Sequence, residues 1–156
     1  VSVGFRTTQD LLVLGGEAHL SRPWVEHRKL TRHFPRFRLV RTRAGDVVAA
    51  EGTLCTDSGR EYGVRILLPA DYPYSLPKVE PVGWVARGPH VYAHDSLCLL
   101  RARQWTPDMT LAFLVSKTAM WLAKYEVWQR TGIWPGREQG YVLSDELRDF
   151  VPRLRP

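Results

Sequence analysis

The chain has 156 residues, 44% hydrophobic and 24% charged, which suits one folded domain spanning 1–156 and excludes global disorder. It contains no apolar run of about 18 residues or more, so no membrane-spanning helix is expected. The net charge of +6 favours acidic partners.

The N-terminal stretch VSVGFRTTQDLLVLGGEA lacks the basic and apolar regions of a secretion signal. Its start at Val1 suggests a trimmed or incomplete N-terminus. Two cysteines, Cys55 and Cys98, are too few for a disulfide scaffold of this size. Two free thiols in a reducing cytoplasm are expected. The cysteines lack CxxC spacing and the five histidines form no HExxH pattern, so neither a metal nor an organic cofactor is expected. Basic residues concentrate in Arg22 to Arg43 and Arg148 to Arg155 without forming one block. A solvated basic surface fits them better than a nucleic-acid site.

The first fifteen residues are the least readable, with Leu11 to Leu14 a short strand or helix end before Gly15-Gly16. EAHLSRPWVEHRKLTRHFP reads as a helix, with Ser21 able to cap, Pro23 tolerated in the first turn and Pro35 stopping it. Basic residues crowd its far end, where they suit the helix dipole. FRLVRTR, DVVAAEGTLCT and EYGVRILLP then read as a three-strand antiparallel meander. Its turns fall at Arg43-Ala44-Gly45-Asp46 and Asp57-Ser58-Gly59. Tyr62, Val64, Ile66 and Leu68 share one face at period two, and Cys55 reads as a small strand residue.

Four prolines between Pro69 and Pro81 predict an extended loop, with a short edge strand near Val79. From Thr110, Leu111, Leu114, Val115, Thr118, Trp121, Leu122, Tyr125 and Trp128 recur at spacings of three and four. They predict one face of a long helix ending at Gly132. Ser144-Asp145-Glu146 predicts the start of a short last helix. The order predicts an α+β fold with helices on one face of an antiparallel sheet.

Residues 88–105, GPHVYAHDSLCLLRARQW, hold the candidate chemistry. From spacing alone Cys98 has two readings. It is a small core residue among Leu97, Leu99 and Leu100, or a nucleophile with His90, His94 and Asp95 as neighbours. A nucleophile needs thiolate character, access and a donor for the oxyanion. A papain-like dyad is disfavoured, because the long helix begins about a dozen residues too late for a helix-start cysteine.

Three segments, in order, resemble a ubiquitin-conjugating enzyme. Tyr72-Pro73-Tyr74-Ser75-Leu76-Pro77-Lys78-Val79 is similar to that family's YPFxxPxV loop. Pro89-His90-Val91-Tyr92 followed by Ser96-Leu97-Cys98-Leu99 resembles its HPN-to-cysteine active-site segment. Gln104-Trp105-Thr106-Pro107-Asp108-Met109-Thr110-Leu111 is similar to the start of its long central helix. The resemblance covers roughly residues 20–130. There are departures: Gly88 stands where the family has the HPN histidine, and His90 where it has the asparagine. The spacing from Cys98 to Trp105 is one residue shorter, and the downstream acidic and aromatic gateway residues have no evident counterpart. A standard attack by a substrate lysine is therefore not implied.

The tail, Trp121-Leu122-x-x-Tyr125-Glu126-x-Trp128-x-x-Thr131-Gly132-x-Trp134-Pro135-Gly136, resembles the prokaryotic branch of the family, found in CBASS anti-phage operons. The resemblance implies a stand-alone conjugating protein with the ubiquitin-conjugating-enzyme (UBC-like) fold. Cys98 would take a C-terminal glycine as a thioester. The donor would be a cGAS-like nucleotidyltransferase or a ubiquitin-like protein, with a separate activating enzyme if one is used. It implies that His90 steadies the loop or the oxyanion, with His94 and Asp95 as neighbours and Tyr72 to Pro77 as scaffold. The alternatives are an inactive binding module of the same fold and a basic nucleic-acid adaptor.

Overall fold

A computed structural model describes residues 8–136 of the protein. The helix expected from Ser144 lies outside the described residues. Thr8–Leu11 forms a 3-10 turn, so the apolar stretch at Leu11 begins as a helix end. It continues as a single bridge, Leu12 pairing with Met109, and the Val13 N–H reaches the Asp108 carbonyl at 2.7 Å.

The first helix, α1, spans Arg22–His33 and is shorter than the expected 17–35. Gly15–Glu17 instead makes its own 3-10 turn. The Glu17 carboxylate accepts from the Leu14 N–H at 3.1 Å and pairs with Arg28 and Lys29, bracing α1 from the side. Ser21 occupies the cap position, but its side chain makes no capping hydrogen bond. Pro23 in the first turn lacks an N–H, so one fewer donor there needs a partner. Arg32 and His33 fill the last turn, as the helix dipole favours.

The meander is present and gains a fourth strand. β1 (Arg38–Arg41), β2 (Val47–Cys55), β3 (Glu61–Leu67) and β4 (Lys78–Val82) form one antiparallel sheet in that order. Ala50 pairs with Ile66, Leu54 with Tyr62 and Ile66 with Val79, so their side chains share the buried face. Pro81 lies on β4, an edge strand, where its missing N–H interrupts no central ladder.

The second helix, α2, spans Leu111–Thr131. The Thr110 hydroxyl accepts from the Phe113 N–H at 3.1 Å and donates to the Leu11 carbonyl at 2.9 Å, capping the helix and anchoring the N-terminal segment together. Gly132 ends it at φ 73°, a left-handed position that a glycine adopts without strain. The three-and-four spacing predicts one buried face, yet every residue from Leu111 to Thr118 is buried. The first half of α2 runs through the core, touching the sheet's cluster, α1 and the Thr8–Leu11 turn. Its polar residues adapt accordingly. Ser116 and Thr118 donate to the Phe113 and Leu114 carbonyls, each at 2.7 Å. Burial pushes the Lys117 ammonium down to about 8.

The second half of α2 is tied to the β2–β3 turn through Glu126. Its carboxylate accepts from Thr56 at 2.8 Å, Ser58 at 3.0 Å and Tyr62 at 2.9 Å. Among the described residues, no helix is long and apolar enough to cross a membrane.

Candidate functional site

After β4 the chain crosses α2 on a run of aromatic rings. Trp84 packs edge-on against Tyr62, centroids 4.9 Å apart, and donates its indole N–H to the Gly63 carbonyl at 2.8 Å. Trp121 stacks on Tyr125 at 4.8 Å, and Tyr125 on Trp128 at 5.8 Å. Residues 84–90 lie along this aromatic side of α2. Trp134, just past the helix, closes over it, 5.5 Å from Trp121 and 4.6 Å from the His90 ring.

The cysteine segment is coil-like, but it is braced at both ends. Val91 and Leu97 form an antiparallel bridge. The Tyr92 N–H donates to the Ser96 carbonyl at 2.8 Å, and the Cys98 N–H to the His90 carbonyl at 2.9 Å. The Leu97 N–H reaches Val79 on β4 at 2.8 Å, fixing the loop to the sheet. Asp95 turns the tip at φ 59°, with its N–H on the Tyr92 carbonyl at 3.0 Å.

His90 sits at φ 60°, in the left-handed region that asparagine, aspartate and histidine visit more readily than other side-chain-bearing residues. Its carbonyl accepts twice, from the Cys98 N–H and from the Trp121 indole N–H at 3.2 Å. Position 90 therefore holds the cysteine through main chain. The histidine-for-asparagine exchange noted in the sequence preserves the one backbone requirement this position has. His90→Asn is expected to keep the fold, losing about 1 kcal/mol with the ring contact to Trp134. His90→Val, β-branched and unsuited to positive φ, should cost more, about 2 kcal/mol or above. Thermal unfolding of the two variants side by side checks the order.

Gly88 explains the other departure. At φ 115° it lies under the Trp128 ring, and a Cβ built there would fall 2.2 Å from the indole. The space a histidine side chain would need is filled by α2.

Cys98 is buried, with 8% of its surface exposed. The neighbouring Cys98 sulfur, followed by burial, pushes the Tyr92 phenol up to about 12. The same hydroxyl lies 3.3 Å from the Leu100 carbonyl. The structure thus brings Cys98 and His90 together through the backbone, and Cys98 and Tyr92 through side chains. His94 and Asp95 lie exposed at the loop tip. Tyr92 was visible in the sequence only as part of the quoted motif; the Val91–Leu97 pairing sets it opposite Ser96 and sets His90 opposite Cys98, so residues 92 and 98 lie diagonally across the pair.

The loop from Tyr72 to Pro77 packs against the segment that leads into α2. Trp105 donates its indole N–H to the Pro73 carbonyl at 2.7 Å, and the Tyr72 ring packs 6.3 Å from that indole.

Solved structures share its fold. A ubiquitin conjugating enzyme E2 from Plasmodium falciparum superposes with a TM-score of 0.52 at 16% identity, covering 64% of this chain and 93% of that one. A Plasmodium vivax ubiquitin conjugating enzyme E2 gives 0.52 at 20% identity, covering 64% and 97%. Human ubiquitin-conjugating enzyme E2 G1 gives 0.51 at 17% identity, covering 63% and 88%. The molecule has the ubiquitin-conjugating fold.

Residues 26–141 match the family described as Type II CBASS E2 protein, and the chain belongs to that family. It is a ubiquitin-conjugating-like protein of a CBASS system. No curated protein matches the sequence.

Proposed function

We propose that the protein is a cysteine-dependent acyl carrier. The Cys98 thiolate attacks the activated carbonyl of a partner's C-terminal glycine. A C–S bond forms, the bond to the activating group breaks, and that group departs with the electron pair and a proton from solvent. An amine then attacks the thioester, a C–N bond forms, and Cys98 leaves as thiolate. Alternatively, the acyl group stays on the enzyme. The partner is the C-terminus of a cGAS-like nucleotidyltransferase or of a ubiquitin-like protein, activated by a separate enzyme where it does not arrive activated. The setting is the bacterial cytoplasm, and the unit is the single domain 1–156.

One observation carries this reading. Cys98 lies within the residues that match the family, in the segment that resembles its HPN-to-cysteine motif, on a loop braced by the His90 carbonyl. The role of His90 is assigned to its carbonyl, and His94 and Asp95 are assigned to the shape of the loop tip and the approach to it. A second reading, an inactive binding module, draws on the 8% exposure of Cys98, since a nucleophile needs access.

Intact-mass analysis after co-expression with CBASS partner proteins separates the two. The carrier reading expects a covalent adduct that Cys98→Ala abolishes. Loss of the adduct with added thiol identifies a thioester, and its survival an amide. Complexes that form without any adduct in the wild type would favour the binding module. Binding that falls steeply with salt and persists in Cys98→Ala would point instead to the nucleic-acid adaptor.

A further inference from the structure

His90 holds Cys98 from a backbone conformation that histidine reaches only at some cost. Its φ of 60° is left-handed, and a residue with a Cβ stays there when its surroundings hold it. Two indoles contribute to that hold. The Trp121 indole N–H donates to the His90 carbonyl at 3.2 Å, and the Cys98 N–H meets the same oxygen at 2.9 Å. The Trp134 ring lies 4.6 Å from the imidazole and 5.5 Å from Trp121. Trp121 thus engages the main chain of position 90, and Trp134 its side chain.

Trp134 reaches that place by a built turn. Gly132 redirects the chain at φ 73° just past α2. The Thr131 hydroxyl accepts from the Ile133 N–H at 3.1 Å and donates to the Val127 carbonyl at 2.8 Å, tying the turn back to the helix. Ile133 is 72% exposed, whereas Trp134 is half-buried. The turn therefore leaves one large apolar side chain outside and brings the next onto the cysteine loop.

We propose that Trp134 is a positioning residue for Cys98: packed on the His90 ring, it keeps the His90 carbonyl on the Cys98 N–H. Its use in acyl transfer rests on the acyl-carrier reading; the hydrogen bond it maintains does not. The line of contact runs from indole to imidazole, then through the backbone of residue 90 to the amide of residue 98.

Amide hydrogen exchange, followed by NMR on the full chain, tests this. The Cys98 N–H is compared with the Leu97 N–H, which the Val79 carbonyl holds at 2.8 Å independently of His90. In Trp134→Ala the Cys98 amide should exchange about fivefold faster, with Leu97 unchanged. Trp134→Phe keeps a ring on the imidazole and should restore most of the protection. Trp134→Leu gives the same comparison where alanine leaves the chain unfolded. In His90→Asn the partner ring is gone, so adding Trp134→Ala should change little further. Equal acceleration at both amides, no change at either, or additive effects of the two substitutions would overturn the proposal. Selective loss of Cys98 protection with no wild-type adduct in co-expression would retain the positioning role and reject the acyl carrier. A wild-type adduct without selective loss would do the reverse. Where both readings hold, the adduct should fall in Trp134→Ala and recover in Trp134→Phe.

Discussion

Replacing Glu26 with alanine is expected to destabilise the protein by about 3–5 kcal/mol, the range for removing one partner of a buried ion pair. Glu26 is 2% exposed in the middle of α1. Its carboxylate accepts from Arg22 at 2.8 Å, from the Tyr72 hydroxyl and from the Leu111 N–H at 2.8 Å. One side chain thereby joins α1, the proline loop and the first turn of α2. The Leu111 N–H is one of the unpaired donors at a helix start, and the carboxylate satisfies it where the dipole favours a negative charge. Arg22 extends the junction to the Pro107 carbonyl at 2.5 Å and to the Met109 carbonyl. Burial, and then the nearby carboxylate, push the Tyr72 phenol well above its usual value, which keeps it a donor. Glu26→Ala leaves the Tyr72 hydroxyl and the Leu111 N–H without this acceptor and Arg22 without its counter-charge. Glu26→Gln retains an acceptor and the shape, so its cost should be nearer 1–2 kcal/mol. Urea unfolding of both variants reads the difference. Equal losses would mean that the negative charge, which both variants remove, carries the whole effect.

Gly88→Ala is expected to cost about 2–5 kcal/mol, combining a strained backbone at φ 115° with overpacking against Trp128. The damage should also reach the cysteine. Gly88 is two residues before His90, whose carbonyl holds the Cys98 N–H. A displaced Gly88 pulls on that anchor, so Cys98 alkylation should change along with stability. Gly88→His, which would recreate the histidine of related active-site segments, should fail in the same way. Trp128→Ala makes room, and the double variant Gly88→Ala with Trp128→Ala should be more stable than the sum of the two single changes predicts. Strict additivity would show that the clash is relieved elsewhere. Differential scanning calorimetry of the four proteins gives the cycle.

The strands and the long helix were legible because their signals are local. Tyr62, Val64 and Ile66 alternate within one strand, and Thr110 and Gly132 sit immediately outside the two ends of α2. The loop from Tyr72 to Pro77 and the start of α2 were legible as a resemblance. The depth of α2 was not. Ser116 and Lys117 fall outside the three-and-four pattern, yet they are buried with the rest of that half of the helix. The cap expected of Ser21 also failed, while the cap supplied to α2 by Glu26 comes from 85 residues away. The site divides in the same way. Cys98 and His90 were found from spacing and resemblance, but the reason for Gly88 lies 40 residues along the chain at Trp128. Contacts of that range leave no periodic trace, and only the folded molecule supplies them.

On the acyl-carrier proposal, the Cys98 amide bears on the side from which an acyl group would be received. In many acyl-transfer sites the nucleophile's own N–H helps hold the negative oxygen. Here that N–H is engaged by the His90 carbonyl. An incoming carbonyl oxygen would find no donor there and would need one from elsewhere, on the loop or on the partner itself. The bond that holds the cysteine in place would thus also restrict the face from which it is loaded.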